Sequence, residues 1–264
     1  MSVLDAILRA KRDEVTLLHQ PQTRDAVHAA ALAAPPPRDF TGALRRGGRL
    51  AVIAELKRRS PSKGDLAPDL DPAATAASYA RGGAAALSVL TDQLFFGGTV
   101  EDLRQARHAA PNTPALRKDF VIDADQVYES RAIGADAVLL IVAALDDPSL
   151  ANLRGEAAAL GLDTLVEVHD DGELERAVRA GADIIGVNNR NLRTLEVDLS
   201  ASDRLAARMP ASVVAVAESG LRTREDIEGL AARGYRAFLV GERLMTAEDP
   251  GSALAALTGR GVSA

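Results

Sequence analysis

The sequence predicts an α/β chain folded as a (β/α)8 TIM barrel with an N-terminal helical extension. Eight short apolar runs alternate with eight amphipathic segments from residue 50 onward. A weak internal repeat returns about every 50 residues. Charged and polar residues gather where the apolar runs stop, and a parallel barrel carries its chemistry at the C-terminal ends of its strands.

The elements follow in order. Residues 1–49 precede the first strand and form the extension. Val3-Leu4, Ile7-Leu8 and Val15 keep helical spacing, with Arg9, Lys11, Arg12 and Glu14 between them, which predicts an amphipathic helix. Ala34-Pro-Pro-Pro37 breaks the pattern, and Phe40–Arg46 predicts a short second helix. This extension is either a cap packed on the barrel end or a cap that also covers the substrate.

The predicted strands are Leu50–Leu56, Ala85–Leu90, Ala115–Lys118, Ala137–Val142, Thr164–Val168, Ile184–Asn188, Val213–Glu218 and Ala237–Val240. Each is short, continuous and aliphatic, as strands buried on both faces must be. The predicted helices are Pro72–Arg81, Val100–Ala109, Asp125–Ile133, Pro148–Leu160, Gly172–Ala180, Ser200–Met209, Arg224–Ala232 and Gly251–Leu257. Alternation of this kind closes a parallel sheet on itself. Gly83, Gly134, Gly181 and Gly234 lead from helix to strand and suit the left-handed residue after a helix. The expected organisation is one barrel domain over 1–264, with eight βα units over 50–257.

Composition narrows the function. The 264 residues are 47% hydrophobic and 26% charged, which is globular. There is no cysteine, so disulfides, thiolate catalysis and thiolate metal sites are excluded. The histidines His19, His28, His108 and His169 are not spaced as ligand pairs, so no metal is expected. A net charge of −6 with scattered basic residues and 3% aromatics argues against nucleic acid. No apolar run reaches the ~18 residues of a membrane span. Met1-Ser-Val-Leu-Asp is unlike a secretion leader. A cytoplasmic enzyme is the expectation.

The strand ends form a converging polar set. Glu55 and Lys57 sit two residues apart at the end of the first strand and so share a face. Ser60 follows in a loop. Lys118 ends the third strand, Glu167 lies in the fifth, and Asn188 and Arg190 close the sixth. The seventh ends in Glu218-Ser219-Gly220 and the eighth runs into Gly241. Small residues after the last two strands suit the recurrent barrel phosphate site. Two lysines in one mouth are expected to depress each other's pKa and so make good acids. A Schiff base at Lys118 stays open. His169 reads as a polar surface residue.

Five motifs in register carry a family resemblance: Ile53-Ala-Glu-Leu-Lys-Arg-Arg-Ser-Pro-Ser62, Leu116-Arg-Lys-Asp-Phe120, Leu165-Val-Glu-Val168, Gly186-Val-Asn-Asn-Arg-Asn-Leu192 and Ala217-Glu-Ser-Gly220. Over about residues 2–255 the chain resembles indole-3-glycerol-phosphate synthase, a carboxy-lyase of tryptophan biosynthesis. The resemblance implies closure of 1-(2-carboxyphenylamino)-1-deoxyribulose 5-phosphate to indole-3-glycerol phosphate, with loss of CO₂ and water and without cofactor or metal. It implies Lys118 as general acid in ring closure and Glu167 as acid/base group in later steps. Lys57 would hold the anionic substrate and act as an acid in dehydration, with Glu55, Asn188 and Ser219 supporting the reacting centre. Ser60, Phe96, Phe120, Leu139, Arg190 and Glu218 would bind substrate, the two phenylalanines and Leu139 lining its aromatic part. Lys57, Gly220, Gly241 and the Glu242 backbone N–H would hold the phosphate.

Glu242 departs from the family pattern, and its carboxylate is expected to point away from the anion. The Arg-Arg-Ser-Pro-Ser loop is expected to be a flap over the mouth. The partners implied are a phosphorylated small molecule, met by a monomer, and other tryptophan-pathway enzymes as associates, with no nucleic acid and no membrane. Rival readings fit less well. Phosphoribosylanthranilate isomerase relies on a cysteine base, which is missing here, and the isomerases of histidine synthesis use paired aspartates where this chain has Glu55 and Glu167. A non-catalytic barrel binding a phosphorylated regulator would not need Lys57, Lys118 and Glu167 together.

Overall fold

Helix α1 (Val3–Leu18) starts in a reciprocal cap, in which Ser2 Oγ accepts from Asp5 N and the Asp5 carboxylate accepts from Ser2 N. Its buried stripe is Leu4, Ile7, Lys11 and Val15. The computed structural model describes residues 2–46 and 50–259. Both limits of the expected 1–264 domain, and the expected boundary at 49, fall outside the described residues.

Helix α2 (Pro21–Ala33) is missing from the sequence reading. Its apolar residues are mostly alanine and only Ala31 is buried, so it has no clear 3.6-residue signal. Pro21 opens it, and Pro35 to Pro37 stop it because proline cannot continue a helix. The expected second helix is therefore the third, α3 (Phe40–Arg45), capped by Asp39 through Gly42 N at 2.6 Å.

The barrel follows as β1 (Ala51–Leu56), α4 (Pro72–Gly82), β2 (Ala86–Leu90), α5 (Gln93–Phe96), α6 (Val100–Ala109), β3 (Ala115–Lys118), α7 (Ala124–Ala132), β4 (Ala137–Ile141) and α8 (Asp147–Ala159). It continues as β5 (Asp163–Val168), α9 (Asp171–Arg179), β6 (Ile184–Asn188), α10 (Ser200–Ala206), β7 (Val214–Glu218), α11 (Arg224–Ala231), β8 (Ala237–Val240), α12 (Glu242–Met245) and α13 (Pro250–Thr258). Every expected apolar run holds a strand, with ends displaced by one residue at most. The short α5 and α12 were not expected. They lie in loops at the strand ends, where four residues carry too little pattern to read.

All eight strands are parallel, and β1 closes the ring by pairing with both β2 (Ile53 with Ala86) and β8 (Ala51 with Ala237). Alternate residues face the inside. Ile53, Leu116, Leu139, Leu165, Ile184, Val216 and Leu239 fill the interior, while Val52, Leu87, Val138, Val166 and Phe238 pack outward under the helices. The four inter-unit glycines all have positive φ, from 76° to 107°, as expected of the left-handed residue after a helix.

The extension reaches both ends of the barrel. Phe40 and Leu44 of α3 join the interior cluster with Ala51, Ala137, Ile184, Val214 and Ala237, the first inward residues of their strands. That plugs the N-terminal end. The linker before α3 and the helix's first turn are fixed there too: Arg38 Nε and Nη2 donate to Asp136 Oδ2 at 2.9 and 2.6 Å, and Thr41 N donates to Asp163 Oδ2 at 2.8 Å. At the other end, α1 lies over the strand C-termini, with Val3, Leu4 and Ile7 lining the cavity there.

Phe40 is fully buried at the end remote from that cavity. Phe40→Ala is expected to lower the unfolding free energy by about 3–5 kcal/mol, measured by urea denaturation. Turnover per folded molecule should stay within about twofold.

Candidate active site

The inward alternation of the strands delivers three carboxyl side chains to one depth of the mouth: Glu55 from β1, Glu167 from β5 and Glu218 from β7. All three are buried. Lys57 leaves β1 two residues after Glu55 on the same face, and its Nζ lies 2.5 Å from Glu55 Oε1. Lys118 Nζ enters between the other two acids, 3.4 Å from Glu167 Oε2 and 3.9 Å from Glu218 Oε2.

Two glycines make the room. A Cβ on Gly186 of β6 would stand 2.1 Å from Glu218 Oε1, and a Cβ on Gly241 would stand 2.3 Å from Glu55 Oε1. Both distances are far inside contact, so neither carboxylate could hold its place beside a larger residue. From the sequence, Gly241 is expected to be an anion contact alone. Its second duty, and the whole role of Gly186, appear only once the inward faces are known.

The charge state of this cluster differs from expectation. Burial alone would lower the pKa of Lys118, but Glu167, Glu218 and Glu55 outweigh it and hold the ammonium above its ordinary value. The expected mutual depression by two lysines is therefore corrected: carboxylates, not Lys57, dominate the field at Lys118. Burial would raise Glu167, yet Lys118, His169 and a hydrogen bond from Asn188 bring it below the ordinary carboxylate value. Burial, reinforced by the Glu167 and Glu55 charges, pushes Glu218 well above it, with Lys118 opposing. The two acids beside the ammonium are thus driven apart, Glu167 toward the stronger acid and Glu218 toward the weaker.

His169 corrects a second reading. It is not a surface residue; its Nε2 lies 3.5 Å from Glu167 Oε1, and its Nδ1 is 2.9 Å from Glu173 Oε2. Burial lowers its pKa, but Glu173 and Glu167 more than offset that. A β5 end followed by the start of α9 was the only sequence signal for it.

The remaining expected residues line the same cavity: Ser60, Phe96, Phe120, Leu139, Asn188, Arg190, Ser219, Gly220, Gly241 and Glu242. Phe96 and Phe120 stand with ring centroids 6.1 Å apart. Ser219 and Gly220 both have positive φ, 66° and 82°, a conformation costing on the order of 1–3 kcal/mol for a residue with a Cβ. Asn189, which the sequence reading passed over, holds that turn: its Nδ2 donates to the carbonyls of Glu218 and Ser219 at 3.0 and 3.1 Å. Ser202 of α10 fixes Asn189 in turn, donating to its Oδ1 at 2.7 Å.

On the rim, the Glu242 carboxylate is not simply turned away. It reaches Lys63 Nζ at 3.5 Å and Arg190 Nη2 at 3.9 Å, so two cations offset its charge. The loop after β1 folds as a small hairpin, Arg59–Ser60 against Gly64–Asp65. Arg58 tethers it by pairing with Asp102 and by donating to the Leu70 carbonyl at 3.1 Å.

Among the described residues, His19, Asp123 and Asp125 bring possible metal-ligand atoms within 4.8 Å of one another. Arg24 Nε at 3.1 Å and His28 Nε2 at 2.7 Å already occupy Asp125. The group joins α1 and α2 to α7 as an ion-pair cluster outside the cavity lining.

This geometry can be set beside known proteins. The family model described as indole-3-glycerol phosphate synthase matches residues 4–257. The chain belongs to the indole-3-glycerol phosphate synthase family. The synthase of Variovorax paradoxus is 53% identical over 262 residues, covering 97% of this chain and 98% of that one. That of a Nocardioides species is 51% identical over 259 residues, covering 98% and 99%. Family membership makes the chain a carboxy-lyase of tryptophan biosynthesis. Solved structures with the same fold include KGPDC from Streptococcus mutans, with a TM-score of 0.62 at 14% identity over 80% of this chain and 96% of that one. Thiamine phosphate pyrophosphorylase from Pyrococcus furiosus gives 0.60 at 18% identity over 79% and 93%. At these identities the likeness is one of fold.

The charge assignment has direct consequences. Because burial and its neighbours push Glu218 up while Glu167 is held down, Glu218→Gln should cost less in kcat/KM than Glu167→Gln, which removes the stronger acid's carboxylate base and should cost about 10²–10⁴-fold. Steady-state kinetics on both variants checks this. Because the folded-state pKa of Glu167 is lowered, its charge stabilises the fold above the ordinary carboxylate value and stops doing so as pH falls through the lowered one. Denaturant titrations from pH 7 downward should show Glu167→Gln losing less stability than the parent protein on the acid side.

Proposed function

We propose that this cavity closes the indole ring of indole-3-glycerol phosphate, with Lys118, Glu167 and the Glu55–Lys57 pair as its acids and bases. The observation that carries the reading is the Lys118 ammonium held between Glu167 and Glu218 at the cavity floor. The substrate is 1-(2-carboxyphenylamino)-1-deoxyribulose 5-phosphate. Its ring carbon bearing the carboxylate attacks the ribulose carbonyl, and Lys118 gives its proton to the oxygen that becomes a hydroxyl. Breaking the bond to the carboxylate releases CO₂ and returns its electron pair to the ring.

The hydroxyl then leaves as water, protonated by Lys57. Ionised Glu167 takes the proton from the neighbouring carbon, which completes the indole. Glu55 keeps Lys57 in place through their ion pair, and Asn188 lines the cavity with Glu167. Glu218, the weaker acid of the pair, would hydrogen-bond the substrate. Phe96, Phe120 and Leu139 hold the anthranilate ring under the α1 roof. Backbone N–H groups at Gly220, Gly241 and Glu242, with Lys57, Ser60, Ser219 and Arg190, would receive the phosphate and the ribulose chain.

The proposal extends to a cytoplasmic monomer. A closed barrel offers no sheet edge for pairing with another chain, and the absence of cysteine suits a reducing compartment. Association with other enzymes of the pathway would then be transient. Light scattering of the purified protein measures its state of association.

The purified protein, mixed with the carboxyphenylamino sugar phosphate, should generate indole fluorescence. Lys118→Met should lower kcat by about 10²–10⁴-fold while circular dichroism stays that of the parent. A folded protein that forms no indole product would overturn the reading.

A further inference from the structure

Lys11 is almost completely buried, and nothing in the chemistry above uses it. It continues the stripe by which α1 roofs the cavity: Leu4 and Ile7 line the space, and Lys11 lies one turn further along the same face. Its ammonium meets three carboxylates: Glu14 Oε2 at 2.7 Å, Asp92 Oδ2 at 3.0 Å and Asp119 Oδ1 at 2.9 Å. Asp92 and Asp119 are as buried as Lys11 itself.

Each of those two aspartates already has a structural duty beside the site. Asp92 caps α5, with Oδ1 accepting from Phe95 N at 2.7 Å and Phe96 N at 3.2 Å. Asp119 follows Lys118 directly. Its Oδ1 accepts from Phe120 N at 2.8 Å, and its Oδ2 accepts from Thr91 Oγ1 at 2.6 Å and Arg117 Nη2 at 3.2 Å. One ammonium thus joins the roof helix, the backbone of both aromatic wall residues and the residue beside the general acid.

We propose that Lys11 is a positioning residue for ring closure, an ionic keystone that docks α1 and holds Phe96, Phe120 and Lys118 in register. The physical argument is charge balance. Without Lys11, two buried carboxylates face one another with Arg117 the nearest compensation, and an unpaired buried charge either moves toward water or draws water in. Either response loosens the wall against which the substrate ring must lie. Displacement of about 1 Å at a reacting centre can cost on the order of 10²-fold in rate.

The proposal rests on the assignment of Lys118 and the two phenylalanines above. The test therefore runs Lys11→Met, Lys11→Arg, Asp92→Asn, Val15→Ala and Lys118→Met together, with kcat and KM for the carboxyphenylamino sugar phosphate and thermal midpoints. Asn at position 92 can still cap α5 but gives Lys11 no charge. Val15→Ala weakens the same helix away from the cluster.

Lys11→Met should lose about 10–100-fold in kcat/KM, mostly in kcat, at temperatures where it is fully folded. Lys11→Arg should recover to within about threefold of the parent, Asp92→Asn should lose about 3–10-fold, and Val15→Ala should lose thermal stability alone. A folded Lys11→Met with kcat and KM within twofold of the parent overturns the proposal, as does an equal kinetic loss in Val15→Ala. Should Lys11→Met not fold, parental kinetics in Asp92→Asn overturn it. An active Lys118→Met would overturn the site assignment instead, which keeps the two failures distinct.

Discussion

Lys118 carries an ammonium into the buried floor of a barrel, and the mouth is organised around the cost of keeping it there. A lone buried cation is destabilising by several kcal/mol, and close carboxylates repay that cost only when their own charges balance. Glu55 is committed to Lys57. That leaves Glu167 and Glu218 on either side of Lys118. Both cannot ionise cheaply side by side, so Glu218 is pushed up while Glu167 is held down. One constraint therefore sets an ammonium between a stronger and a weaker acid in the same small space. The same crowding explains Gly186 and Gly241, whose missing Cβ atoms leave the volume that the carboxylates occupy.

The barrel separates this polar end from an apolar one. Its interior below the mouth is mostly aliphatic, and α3 seals the far end with Phe40 and Leu44. The N-terminal extension serves both ends: α1 roofs the mouth, and the Arg38–Asp136 pair fixes the linker at the base. Stability and chemistry thus sit about a strand length apart, which lets the base be packed tightly while the mouth keeps strained features such as Ser219 at φ 66°. Asn189 and Ser202 secure that strain from behind, through side chains that never enter the cavity lining.

Much of this was legible in the chain. Strand positions followed from continuous aliphatic runs, because strands covered on both faces admit little else. Polar residues at the run ends marked the mouth, and each of them lines one cavity. What escaped had a physical reason. Helix α2 is alanine-rich and scarcely buried, so it leaves no periodic mark. His169 reads as a loop residue until the fold turns it back on Glu167. Lys11 reads as one of several charges on a surface helix until Asp92 and Asp119 enclose it. Asn189 stands between two residues that were singled out, and only its bonds to the β7 turn distinguish it.

The sequence by itself determined the barrel, the order of its strands and the residue types at their ends, and its motifs determined the family. Those are consequences of period, punctuation and local side-chain direction, all of which act within a few residues. Only the tertiary structure decided which of the paired acids is the stronger, which glycine makes room for which carboxylate, and which lysine is a keystone. Each depends on groups far apart in the chain, as Lys118 and Glu167 are by 49 residues. Electrostatic energy and excluded volume depend on distance in space, and that distance exists only once the barrel has closed.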